Sequence, residues 1–241
     1  MGEAQVFQFV TDDELAAAVA ERWLSSIADA QAAGRKLLVA LSGGRVTKKL
    51  FDSAVVRARK RTLSFEGVEF FWADERCVPP DDPESNFLLA NEHLFKPAQV
   101  SAASIHRIRG ELDVSTAVRL ATAELSLIAS ERLNSVPLFD LVLLGMGEDG
   151  HVASLFPGDF KTAEDEKSVF LAIENSPKPP PKRVTLGHGP IAIAHETWVL
   201  ASGKGKEAAL RESLATNGAT PLANVIQRRQ VTKVFTDIKL S

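Results

Sequence analysis

Apolar residues recur along the chain in two alternating rhythms. Short, almost continuous apolar runs read as buried strands: "QVFQFV" (5–10), "KLLVAL" (36–41), "VEFFWA" (68–73), "FDLVLLG" (139–145), "SVFLAIE" (168–174), "ETWVLAS" (196–202) and "VTKVFTD" (231–237). Between them lie stretches whose apolar positions fall at helical spacing. The first places Leu15, Val19, Trp23, Leu24 and Ile27 on one face, starts at an Asp12 or Asp13 cap and ends near Ala33. Further helices are predicted over 46–60, 87–95, 115–133, 206–215 and 222–229, and "SIHRIRG" (104–110) reads as one more strand. Strands separated by helices predict an α/β fold: one Rossmann-like domain over 1–241, with a mostly parallel sheet covered by helices on both faces. "FDLVLLG", the most apolar strand, is expected at the sheet centre. Ligands in such folds bind beyond the carboxyl ends of the strands, which selects the loops worth reading.

Composition narrows the partners. The chain has 241 residues, 45% of them apolar, and a net charge of -3. That balance gives no overall attraction to nucleic acid or to an anionic membrane. An anionic ligand would have to be held by a local cluster of donors. No apolar run approaches the ~20 residues of a membrane helix. The first residues lack the basic and apolar regions of a secretory signal, and "DIKLS" is not a peroxisomal signal, so a cytoplasmic protein is expected. Cys77 is the single cysteine, which precludes an internal disulfide. A monomer is expected, because no segment reads as a surplus apolar surface.

Four loops carry candidate chemistry. In "LSGGRVTKKLF" (41–51) a strand ends, two glycines follow and a helix begins, so amide groups meet the positive end of a helix dipole. Ser42, Gly43, Gly44 and Arg45 there suit a small phosphate ester, since neither the nucleotide-triphosphate loop nor the dinucleotide fingerprint is present. The same geometry also serves as a plain strand-to-helix turn. In "FFWADERCVPPDDPESN" (70–86), Asp74, Glu75 and Arg76 stand where a strand emerges. A carboxylate beside an arginine is expected to stay ionised, and Arg76 either faces a substrate oxygen or forms a surface ion pair. Cys77 lacks a neighbouring base and is not read as a nucleophile.

The third loop, "GMGEDGHVASLFPG" (145–158), sets Glu148, Asp149 and His151 among glycines. His151 is the one side chain there suited to proton transfer near neutrality, and Asp149 is placed to fix its tautomer. Ser154 has no nucleophile elbow around it and reads as a helix-start residue. The fourth pairs "KRVTL" (182–186) with "ASGKGKEAAL" (201–210), offering Arg183 and Lys206 to an anion, with Lys204 as the competitor. "NSPKPPPKR" (175–183) reads as a proline-stiffened surface loop. His93, His106, His188 and His195 are read as structural, the last three without supporting partners. No His/carboxylate spacing suits a metal, so neither a metal nor a cofactor is expected.

Together these four motifs, in this order, resemble 6-phosphogluconolactonase, and "GMGEDGHVASLFPG" is the most specific of them. The wider superfamily includes glucosamine-6-phosphate deaminase and ribose-5-phosphate isomerase. In the deaminases a glutamate follows the histidine by five residues. Here that position is Phe156. The resemblance implies hydrolysis of a sugar phosphate lactone, 6-phospho-D-glucono-1,5-lactone. It implies His151 as general base with Asp149 beside it, Arg76 and Asp74 in the sugar site, and Gly43, Gly44, Arg183 and Lys206 around the phosphate. Many relatives carry Ser-Thr-Pro after the two glycines. This chain has Arg45, Val46 and Thr47, so Arg45 stands where hydroxyl contacts are expected. Another sugar-phosphate enzyme of the fold, or a non-catalytic sugar-phosphate sensor, is the alternative.

Overall fold

A computed structural model describes residues 2–158 and 168–240. In chain order its elements are β1 (Glu3–Gln8), α1 (Asp12–Ala32), β2 (Leu37–Leu41), α2 (Arg45–Arg61), β3 (Val68–Trp72), β4 (Asp74–Arg76) and α3 (Asn86–Ala90). A π-helical turn (Asn91–Phe95) joins α3 to α4 (Lys96–Ala98). Then come α5 (Val114–Ile128), β5 (Arg132–Leu133), β6 (Val136–Pro137), β7 (Leu141–Gly145), β8 (Phe170–Ile173), β9 (Arg183–Leu186) and α6 (His188–Ile193). The chain finishes with β10 (Glu196–Ala201), α7 (Glu207–Leu214), α8 (Pro221–Arg228) and β11 (Val231–Thr236).

Six strands form the main sheet in the order β1-β11-β10-β7-β2-β3, with every neighbouring pair parallel. All five residues of β2 and all five of β3 are buried. Successive strand residues point to opposite faces, so both faces are covered, and the expected α/β architecture is met. "FDLVLLG" supplies β7, an interior strand, as its composition predicts. Trp23 of α1 meets Phe65 and Phe70 edge-on, and Phe70 packs on Phe95, so the first and third predicted helices share one aromatic core with β3. Burying each such side chain contributes roughly 1.5–3 kcal/mol.

Several local expectations are corrected. Helix α1 is capped by Thr11, whose hydroxyl accepts from the Glu14 amide at 3.1 Å, not by Asp12 or Asp13. "SIHRIRG" is not a strand: a 3-10 turn (Ala102–Ser104) leads to a single bridge between Ile105 and Phe70. The segment after β3 is not all loop, because β4 pairs antiparallel with β9, and β9 with β8, in a second three-stranded sheet. Helix α6 was not legible in "GHGPIAI", where two glycines and a proline mask it. His106 is not partnerless. Its two ring nitrogens lie 2.8 Å from Glu69 and 2.9 Å from Glu124, and its ring stacks on Phe71. His93 pairs with Asp52 at 2.8 Å and His195 with Glu131 at 3.0 Å.

The chain direction across the sheet reverses between β2 and β7. From β2 it steps outward to β3, then returns to β7, β10 and β11 on the other side. Such a switch point opens a crevice at the carboxyl ends of the flanking strands.

Candidate active site

One cleft lies at that point. Its lining comes from the ends of four adjacent strands: Ser42, Gly43, Gly44, Arg45 and Val46 after β2, Asp74 and Arg76 after β3, Gly145, Met146, His151 and Ala153 after β7, and Ser202 and Lys206 after β10. Asn86 and Arg183 complete it. It is open to solvent and encloses about 170 Å³. All the site residues expected from sequence line this cleft except Asp149, which reaches it through His151.

The turn after β2 is built for close approach. A Cβ on Gly43 would lie 1.9 Å from Asn86 Oδ1, so only glycine fits there. Gly44 caps α2, which has no side-chain cap and no acidic residue in its first turn. The helix therefore presents unneutralised amides to the cleft. Ser42 Oγ is buried without a hydrogen-bond partner among the described residues. The Thr47 hydroxyl turns back to donate to Gly43 O at 3.1 Å, while Arg45 lines the cleft.

His151 and Asp149 form a tight pair. His151 Nδ1 lies 2.5 Å from Asp149 Oδ1, a separation that requires a proton between them. Assigning that proton to Nδ1 leaves the lone pair on Nε2, which has no hydrogen-bond partner among the described residues. Gly147 makes the pair possible: a Cβ there would stand 2.0 Å from His151 Nδ1. Glu148, the third polar residue of the loop, reaches Gly205 instead, where an added Cβ would meet its Oε1 at 2.7 Å. Burial holds the His151 imidazole below its ordinary pKa, against the upward pull of Asp149, and Lys178 adds to the lowering. Burial opposes ionisation of Asp149 as well, yet the hydrogen bond from His151 keeps its carboxyl below the usual value.

Asp74 is buried and receives a 2.7 Å hydrogen bond from Ser154 Oγ, while the Asn86 side chain donates to the Asp74 carbonyl at 2.8 Å. Ser154 is thus no helix-start residue. It lies in a turn, fully buried, and joins Asp74 to Arg183 Nη1 at 3.4 Å. Glu75 also departs from expectation. It is buried, and burial pushes its carboxyl up to about 7 despite amide donors from Asn86, Phe87 and Arg76. Arg76 pairs instead with Glu84, through its carbonyl and, at 3.7 Å, its carboxylate. Cys77 is pushed up to about 11 by burial, as expected of an unreactive thiol.

Arg183 is buried and largely committed. Its Nε donates to Pro180 O at 3.1 Å, and Nη2 to Lys178 O and Pro179 O at 3.0 and 3.1 Å. Burial lowers the basicity of Lys206, with nearby Arg45 acting in the same direction. Lys204 is exposed and lines no part of the cleft, whereas Lys206 lines it. Sequence reasoning missed Asn86, which it passed over as the end of a loop, and Lys178, hidden in what reads as a solvated proline segment. Among the described residues no three His, Cys, Asp or Glu side chains cluster to hold a metal.

A parallel sheet with glycine-lined, cation-rich loops at its switch point defines an α/β protein with a crevice suited to an anionic ligand. The chain belongs to the glucosamine-6-phosphate isomerase/6-phosphogluconolactonase family, whose model matches residues 10–235. Within it the resemblance to 6-phosphogluconolactonases holds. The chain is 34% identical over 204 residues to 6-phosphogluconolactonase of Treponema pallidum, covering 84% of this chain and 81% of that one. It is 35% identical over 214 residues to 6-phosphogluconolactonase of Streptomyces coelicolor, covering 86% and 82%. The solved structure of 6-phosphogluconolactonase from Trypanosoma brucei superposes with a TM-score of 0.82 at 25% identity, covering 98% and 97%.

Proposed function

We propose that the protein hydrolyses 6-phospho-D-glucono-1,5-lactone to 6-phosphogluconate, with His151 as general base and without metal or cofactor. The observation that carries the reading is the uncommitted Nε2 of His151 in the same cleft as Arg76, Arg183, Lys206 and the Gly43–Gly44 turn. A lactone is an activated ester, so no covalent nucleophile is needed. Water held by Nε2 attacks C1 and gives its proton to the imidazole, a role worth ~10²–10⁴-fold. The tetrahedral oxyanion is stabilised by a nearby donor, of which Arg76 is the candidate. Collapse breaks the bond between C1 and the ring oxygen, and the departing oxygen recovers a proton from the imidazolium. The product carries a carboxylic acid at C1, which releases its proton to solvent to become a carboxylate, and a free hydroxyl at C5.

Gly43 and Gly44 amides, Arg45, Lys206 and Arg183 hold the phosphate, and that remote grip fixes C1 against the water. Asp74 and Ser42 face sugar hydroxyls. Because three of its donor contacts are spent on the proline loop, Arg183 contributes chiefly charge and one remaining edge. The whole chain acts as one domain, a cytoplasmic monomer. Phe156, whose ring lies 4.7 Å from that of His151, puts an apolar group where the deaminases carry their glutamate, which disfavours ammonia release. The test is direct. Glucose-6-phosphate dehydrogenase generates the lactone, and its disappearance is followed with and without the protein, with spontaneous hydrolysis subtracted and a chelator added in parallel. Unaccelerated decay refutes the reading, and loss of activity on chelation refutes its metal independence.

A further inference from the structure

The proline segment 175–182 is more than a surface loop. Ser176 N donates to Pro181 O at 2.8 Å, Ser176 Oγ to Lys178 O at 2.8 Å, and Arg183 binds the carbonyls of residues 178, 179 and 180. Four prolines and these bonds leave the backbone at Lys178 little freedom. From that rigid mount the Lys178 side chain turns to the catalytic pair: its Nζ lies 3.4 Å from Asp149 Oδ2 and 3.4 Å from His151 Nδ1.

This contact solves a charge problem. An unopposed carboxylate 2.5 Å from Nδ1 favours the imidazolium, which is useless as a base. An ammonium on the far carboxylate oxygen offsets that pull while leaving the near oxygen to fix the tautomer. Since Nδ1 already donates to Asp149, Lys178 has Asp149 Oδ2 as its acceptor and acts on the ring by charge alone. Other charges also face the ring: Asp74 from β4 favours the charged ring, and Arg76, Arg183, Arg45 and Lys206 line the same cleft. Glu148, on the same loop as His151, is turned to Gly205. Among the described residues, Lys178 is the cation in contact with both members of the pair.

We propose that Lys178 is a positioning residue for the hydrolase reaction: carried on the proline loop, it holds Asp149 and keeps the His151 imidazole uncharged and available as a base. This rests on the reading of His151 given above, and the test separates the two. The His151 ring is titrated by NMR in the wild type, Lys178→Met and Lys178→Arg, its resonance assigned by its loss in His151→Gln. The acid limb of kcat/KM is measured in the same three proteins. In Lys178→Met the ring titration and the acid limb both move to higher pH, and Lys178→Arg restores them, with melting temperatures unchanged. Coincident ring titrations in wild type and Lys178→Met overturn the proposal. A ring titration that moves while the acid limb stays fixed overturns His151 as the base instead.

Discussion

Arg76 and Arg183 stand directly opposite each other in the antiparallel ladder of β4 and β9, and both line the cleft. Like charges so placed repel. Burial, and then the charge of Arg76, lower the affinity of the Arg183 guanidinium for its proton, with Asp74 opposing. An anion in the cleft relieves that repulsion.

Product or inorganic phosphate is therefore expected to stabilise the protein. At a hundredfold excess over its Kd the gain is about 2.7 kcal/mol, read as a raised Tm. Arg183→Lys keeps the charge but loses the fork that holds the proline loop and the Ser154–Asp74 link. Its KM should rise by roughly 10–100-fold, the worth of one or two charged hydrogen bonds. An unchanged KM would remove Arg183 from the binding site.

The fold was largely legible because apolar rhythm reports burial, and the strands of a parallel sheet are buried on both faces. β2, β3, β7 and β10 were read within a residue or two. What failed depended on distant partners. β4 is three residues long and exists because β9 pairs with it. The buried acceptance of three amides by Glu75 cannot be seen in "DER" alone. The site was legible where one loop contains the whole relationship, as in Asp149–His151. It was illegible where two loops meet, as in Lys178–Asp149, since nothing in "PKPPPK" indicates which way the lysine turns.

Glu75 ties the two ends of the 76–86 loop, which carries Arg76 and Asn86 into the cleft. Glu75→Gln sets an amide NH2 against those donors and should cost roughly 1–3 kcal/mol. KM should rise more than kcat falls. Because burial raises the folded carboxyl to about 7, the contribution of protonated Glu75 is complete below its ordinary 4.5. It is lost as pH rises through about 7. Wild type should lose Tm relative to Glu75→Gln across that window, and parallel Tm profiles would contradict the assignment.

In the proposed role of base, His151 acts only when neutral. Burial and Lys178 hold its pKa below the ordinary 6.5, against Asp149. kcat/KM should thus be near its plateau at pH 7 and fall as acid protonates the ring, with a midpoint under 6.5. A midpoint above 6.5, after subtraction of spontaneous hydrolysis, would show that the carboxylate dominates.

The most direct measurement is the rate of enzymatic 6-phosphogluconolactone hydrolysis in His151→Asn at pH 7, with Tm recorded on the same sample. Asparagine keeps a polar side chain beside Asp149 but cannot take the proton from water. The expected result is a kcat lower by about 10²–10⁴-fold at near-native Tm. A variant that folds and turns over the lactone at the wild-type rate would contradict the account.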